Sequence, residues 1–380
     1  VGEDEFAVRD LMIERLNIGI SRGIIILMML CCIVLPAAST GEDQAYPRTV
    51  TDSAGREISL QMPVERIIVL NSDAAEAVAI LGAADKVIGI SDSIKNKPNM
   101  FPELAEKQSI GKWNDPDYEL IGEIAREGDA IVPDLIVIGY TYPDKEYGIA
   151  GVQKGLSAFE GIRAVGLDFY RPENMTREIR LLGDILGREE EAVDFVSWYD
   201  RNVDAVKKAV AEKPMPRVYV EWSSKGGDLT TMGKGSGLHD MLRLAGGYNI
   251  ASSLADSYPK VDWEWVVSEN PEIIIRRSVQ SSADGEMGWA AGPSQDGLKA
   301  AEMLNGVTSR AAAQTVDAVA KYRVYVVNWE VMAGLDDAVG LTYLAKILHP
   351  EIDLDPLQVH REYLAYLGLE LPQNRMLVYP

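Results

Sequence analysis

The 380-residue sequence is poor in the residues on which metal and redox chemistry most often rests. It has two cysteines and three histidines. Cys31 and Cys32 are neighbours, so they cannot build a disulfide framework, and no CxxC or Cys/His cluster offers zinc or iron–sulfur spacing. His239, His349 and His360 do not pair at ligand spacing, and no inner-sphere metal site is expected. Basic residues are in deficit, 37 against 58 acids, for a net charge of −21. That excludes the clustered Lys and Arg surface a nucleic acid requires. No GxSxG elbow and no HExxH occurs, which removes the hydrolase classes built on them. Low-complexity tracts and repeat arrays are absent too, against a surface structural protein. The glycines of GKGSG (233–237) lack the Lys-Ser/Thr of a phosphate loop and lead simply into a helix at 238.

What is present is ordinary globular material, 47% apolar and 25% charged. The length suits two domains or two lobes. Residues 23–38 form the one long uncharged run, GIIILMMLCCIVLPAA. Arg15 and Arg22 precede it, and Ala37, Ala38, Ser39 and Thr40 follow. This reads as a secretory signal peptide or a retained N-terminal anchor over 1–40, with the rest of the chain exported to a periplasm or cell surface. Residues 1–11 are acidic for such a leader, so Met12 is an alternative start. Met29 and Leu30 are bulky where a lipidated cysteine usually follows small residues.

Beyond the leader, RTVTDSAGREISL (48–60) alternates around Asp52-Ser53-Ala54-Gly55, a β-hairpin pattern. Apolar strands are expected at 66–70, 87–90 and 133–138, with helices at 74–81 and 116–126, the latter capped by Asp115. Over 189–213 no Gly interrupts the chain, and Ala192, Val196, Tyr199, Val203, Val206 and Val210 form one helical stripe. The strand–helix alternation then restarts, with strands at 217–221, 273–276 and 323–327 and helices at 238–245 and 339–348. The halves echo each other. Glu119-Leu-Ile leads to Pro133-Asp-Leu-Ile-Val-Ile, and Glu264-Trp-Val leads to Pro271-Glu-Ile-Ile-Ile, with about seven extra residues near 125–131 in the first copy.

In their joint order, RTVTDSAGREISL, PVERIIVL, AVAILGAADKVIGIS, SIGKWNDPDYELI, PDLIVIGY, RVYVEW, GSGLHDMLRLAGGYNIA, VDWEWVVSENPEIII and YRVYVVN resemble the ABC-importer substrate-binding proteins for iron–siderophore, haem and cobalamin uptake. The resemblance covers roughly residues 48–350. It implies an α/β protein of two similar lobes with central, mainly parallel sheets, joined by one long rigid helix, with a ligand cleft between them. The segments would be a first lobe over 46–172, a helical segment over 173–213 and a second lobe over 214–350; a helical tail over 351–380, read from its amphipathic stretch, departs from the family. The partners implied are an ABC permease with its ATPase and a small-molecule metal chelate, bound without any cofactor. The protein would be a monomer that meets the membrane only through its N-terminal segment.

The same resemblance makes Glu119 and Glu264 the carboxylates, one per lobe, that dock on permease arginines. Both also sit in a first helical turn, where an acid is stabilising in any protein. Open α/β sheets bind ligands just beyond their strand ends. The ligand-binding candidates are therefore Asn71, Ser72, Trp113, Tyr140 and Tyr142 in the first lobe and Trp222, Arg276 and Trp329 in the second. Aromatic faces suit a flat macrocycle or a catecholate, and arginine suits its anionic groups, although each ring could equally be packing a core. Trp113 keeps the five-residue gap to Glu119 found in corrinoid binders. Arg276 and Arg277 are consecutive on a strand end, so only one can face the cleft, and Arg276 is taken as that one. No catalytic residue is expected; the rival reading is an exported, two-lobed hydrolase using a carboxylate pair.

Overall fold

Two parallel sheets organise the protein. The computed structural model describes residues 45–222, 229–278, 287, 296–371 and 376–380, and Tyr46–Pro380 forms one compact unit. Residues 1–40, expected to be a signal or anchor, and with them both cysteines, lie outside the described residues. No helix among the described residues is long and apolar enough to cross a membrane.

The hairpin predicted by the alternation at 48–60 forms, with Arg48–Thr51 antiparallel to Glu57–Leu60. Asp52 closes it by accepting from the amides of Ala54 and Arg56 and from the Arg56 guanidinium. The first-lobe sheet runs Arg163–Gly166, Leu135–Gly139, Arg66–Val69, Val87–Ile90, Gln108–Ser109, all parallel. Leu135–Gly139 is buried at every position, because helices cover both faces of the sheet. The second-lobe sheet runs Tyr248–Asn249, Arg217–Glu221, Ile273–Ser278, Val324–Asn328, and the chain's own end, Val378–Tyr379, adds the one antiparallel edge.

The long helix spans Glu189–Val210. Its 22 residues reach about 33 Å. Glu189, Glu190 and Glu191 at its start and Lys207 and Lys208 at its end complement the helix dipole. It packs on Pro172–Leu186 to one side and on Asp337–Leu348 to the other. The predicted stripe is buried except for half-buried Tyr199, and the buried face is wider than predicted, taking in Phe195 and Trp198. These two rings are covered by the tail. Helix Pro356–Tyr366 lays Tyr363 and Tyr366 against them, with Glu362 accepting from Trp198 Nε1 at 2.9 Å and the Tyr366 hydroxyl donating to Asp194 at 2.9 Å.

The helix expected over 116–126 is shorter. It runs Tyr118–Ile124, and its cap is Asp117, which accepts from the Leu120 amide, in place of Asp115. Asp115 and Pro116 instead pair with Gly111 and Lys112 in a tight antiparallel turn. The extra residues of the first copy form a second small hairpin, Arg126–Glu127 against Ala130–Ile131, turning on Gly128 at φ +65°.

Candidate functional site

The order of strands puts a topological switch in each sheet. In the first lobe the chain leaves Arg66–Val69 toward one side and returns as Leu135–Gly139 on the other. In the second lobe the switch lies between Arg217–Glu221 and Ile273–Ser278. Such crevices, beyond the carboxyl ends of the strands, are where open α/β sheets take ligands. Most of the residues singled out from the sequence lie at one or other of these places.

Beyond the first switch stands a group of aromatic rings. Trp113 lies edge-on to Tyr140 at 6.0 Å and to Tyr147 at 5.3 Å between ring centroids. Tyr142 is 5.0 Å from Tyr140, and Tyr170 is 5.5 Å from Tyr140. All five rings are half-buried, outside the fully buried core. Tyr142 adopts φ +26°, a turn conformation that non-glycine residues rarely hold. The Tyr140 hydroxyl donates to Asp73 Oδ2 at 2.8 Å. Burial, followed by the Asp73 charge, pushes the Tyr140 phenol far above its ordinary value, so it remains a donor. Tyr147 and Tyr170 were not among the sequence candidates. Tyr170 comes four residues after strand Arg163–Gly166, so the strand-end rule would have reached it.

Asn71 and Ser72 have structural work here. Asn71 is buried and caps helix Ser72–Ile80, its Oδ1 accepting from the Ala74 amide at 2.9 Å, while its Nδ2 finds no partner among the described residues. Ser72 Oγ accepts from Lys97 Nζ at 3.2 Å.

Beyond the second switch a smaller group forms. Trp222 and Trp329 meet at right angles, 5.2 Å apart, and Tyr258 lies 5.7 Å from Trp222. The cation here is Arg277, which corrects the choice of Arg276. Arg277 stacks its guanidinium 3.4 Å over Trp222 and 5.8 Å from Trp329. Arg276 alternates to the other face and pairs with Glu221 at 3.2 Å. Glu221 is fully buried and also receives a fork of two bonds from Arg310, at 2.6 and 2.9 Å. Burial, then the Arg276 charge, lowers the Arg277 guanidinium to about 10. It stays a cation at neutral pH, and its Nε has no hydrogen-bond partner among the described residues.

Glu119 and Glu264 occupy matching places. Each is exposed, in the first turn of a seven-residue helix, two residues after an aspartate cap and one after an aromatic: Asp117-Tyr118-Glu119 and Asp262-Trp263-Glu264. Among the described residues no three His, Cys, Asp or Glu side chains are arranged to hold a metal ion. His349 is buried, its Nε2 3.1 Å from the Gly246 carbonyl.

Periplasmic binding proteins, as a family, match residues 67–329, more than half of the chain. The chain belongs to that family. A cobalamin-binding protein of Halobacterium salinarum is 24% identical over 247 residues, 63% of this chain and 62% of that relative. The chain thus spans about three fifths of the length of the first curated relatives it matches. An uncharacterized ABC transporter substrate-binding lipoprotein of Bacillus subtilis, YvrC, is 20% identical over 81% of this chain and 87% of its own. Among solved structures, the TroA-like periplasmic binding protein FepB of Veillonella parvula superposes with a TM-score of 0.68 at 21% identity, over 84% of this chain and 96% of that one. At that identity the likeness shows the fold, which is the two-lobed α/β fold the sequence led us to expect. A family of transport-related binding proteins gives the hydrolase reading no support.

Proposed function

We propose that this protein is the extracytoplasmic substrate-binding component of an ABC importer. It would hold a metal chelate, such as a ferric siderophore, haem or a corrinoid, between its first lobe (46–172) and second lobe (214–350), without a cofactor and without chemistry on the ligand. The observation that carries the reading is the pair of half-buried aromatic groups at the two switch points, one built on Trp113 with Tyr140 and Tyr142, the other on Trp222 and Trp329 with Arg277. Stiff rings offer stacking area at little entropic cost, and a desolvated arginine matches an anionic chelate better than water does. The names of relatives point the same way: a cobalamin-binding protein, and a high-affinity haem uptake protein, IsdE, of Staphylococcus aureus, 24% identical over 52% of this chain. In this reading Glu119 and Glu264 dock the two lobes on permease arginines, and cytoplasmic ATPases drive transfer. The protein acts as a monomer outside the cytoplasm, with residues 1–40 as its signal or anchor.

Tryptophan-fluorescence titration of the protein with cobalamin, haem and a set of ferric siderophores tests this. Trp113, Trp222 and Trp329 would report binding of any of them. Flat titrations with every chelate would sink the substrate class.

A further inference from the structure

The ligand site leaves a group of buried acids unexplained. Helix Ser72–Ile80 of the first lobe carries Asp73 and Glu76, and the turn into helix Asp337–Leu348 of the second lobe carries Asp336 and Asp337. Glu76 and Asp336 are each only 5% exposed. Glu76 Oε2 and Asp336 Oδ1 lie 4.0 and 3.9 Å from the point a Cβ on Gly334 would occupy, so both carboxyls border the space beside Gly334. Glu76 Oε1 and Asp337 Oδ1 have no hydrogen-bond partner among the described residues. The other charged or titratable groups facing Glu76 are Asp73 on its own helix, Lys97 beside that helix, and Tyr363 from the tail helix. Asp73 in turn faces Tyr140 and Asp168, and Asp337 faces Tyr199 of the long helix. Of these acids Asp73 and Glu76 face Lys97, and Asp168 pairs with Arg171 at 3.7 Å.

Two carboxyls buried together cannot both ionise, since each charge is desolvated and each repels the other. A proton shared between two such carboxyls makes an O–H···O⁻ hydrogen bond, among the stronger kinds in proteins. We propose that Glu76 and Asp336 form a proton-held latch between the lobes: sharing a proton they draw helix Ser72–Ile80 and the 334–337 turn together, and losing it they repel and let the lobes part. Burial and the Asp73 charge raise Glu76 to about 8, and burial with the Glu76 charge raises Asp336 well above the ordinary value. The latched state therefore binds more protons than the parted state. Latching is fully present at acidic pH and is lost as pH rises through about 8. Tyr140 of the aromatic group donates to Asp73, one helical turn before Glu76, so the latch adjoins the candidate ligand site.

Hydrogen exchange read by mass spectrometry on the full chain, without ligand, tests the latch at pH 6 and pH 9 after correction for intrinsic rates. In the wild-type protein, peptides covering 72–80 and 334–345 should lose about tenfold or more in protection at pH 9. Glu76→Gln imitates the protonated carboxyl and should keep its protection at both pH values. Asp336→Asn should behave alike, and carries the test if Glu76→Gln does not fold. Equal losses in wild type and variants, or no loss in wild type, overturn the latch. Because no ligand is present, failure of the chelate titrations leaves this readout intact, and failure here leaves those titrations standing.

Discussion

Replacing Glu221 by Gln removes the anion that sits between Arg310 and Arg276. Glu221 is fully buried at the end of strand Arg217–Glu221, and its contacts are 2.6, 2.9 and 3.2 Å long. At an effective dielectric constant of about 20, a unit charge pair near 4 Å is worth about 4 kcal/mol. Part of that repays desolvation, but removing the carboxylate deprives the partly buried Arg310 guanidinium of its fork of two charged bonds, at about 3–5 kcal/mol. Glutamine fills the same volume, so no cavity adds to the loss. At about 2.1 cal/mol/K per residue, the compact unit Tyr46–Pro380 unfolds with an entropy of about 0.7 kcal/mol/K, so 1 kcal/mol moves its melting temperature by about 1.4 °C and Glu221→Gln should lower it by about 4–7 °C in scanning calorimetry at pH 7. Tryptophan emission should shift as well, because Trp222 follows Glu221 and carries Arg277 3.4 Å over its ring. A fall below about 2 °C would show that water already screens these charges, and would refute their role as the anchor of this strand end.

Gly340→Ala would place a Cβ 1.9 Å from the Val331 carbonyl oxygen, forcing the Trp329–Val331 turn to move. It should cost about 1–3 kcal/mol in thermal unfolding and alter Trp329 fluorescence; an unchanged melt would mean that the turn yields freely. Trp113→Ala should weaken binding of whichever chelate responds by about ten- to a hundredfold in the same titration, and an unaltered affinity would remove Trp113 from the ligand site. Glu119→Ala combined with Glu264→Ala should leave chelate affinity unchanged while cellular uptake is lost. Uptake at the normal rate in that double variant would refute the docking assignment.

Much of the fold was legible because its signals are local. Strand Leu135–Gly139 is written as an uninterrupted apolar run, and the hairpin at 48–60 as an alternation around Asp52 and Gly55. The long helix shows its core stripe but not its second covered face. Phe195 and Trp198 fall off the stripe because their cover comes from Tyr363 and Tyr366, more than 160 positions later in the chain. Asp117 was hidden for a different reason. Pro116 reads as a first helical residue, which pulls the cap back to Asp115. The second copy held the correction, since Asp262 stands two residues before Glu264 as Asp117 does before Glu119. The choice between Arg276 and Arg277 needed Glu221, which meets Arg276 only because their strands pair side by side. Alternation says that consecutive arginines part company, and only a neighbouring strand says which way each goes.

The last strand has a consequence for assembly. Val378–Tyr379 pairs with Val326 and Val327, closing the flank of the buried strand Val324–Asn328. An open flank of that kind is a template on which another chain can add a strand. The remaining outer strands are short: two residues at Tyr248–Asn249 and at Gln108–Ser109, four at Arg163–Gly166. Val378–Tyr379 therefore covers a sheet edge that would otherwise be open to strand addition. A chain shortened by its final five residues would keep both aromatic groups and expose a row of free backbone donors and acceptors to its neighbours.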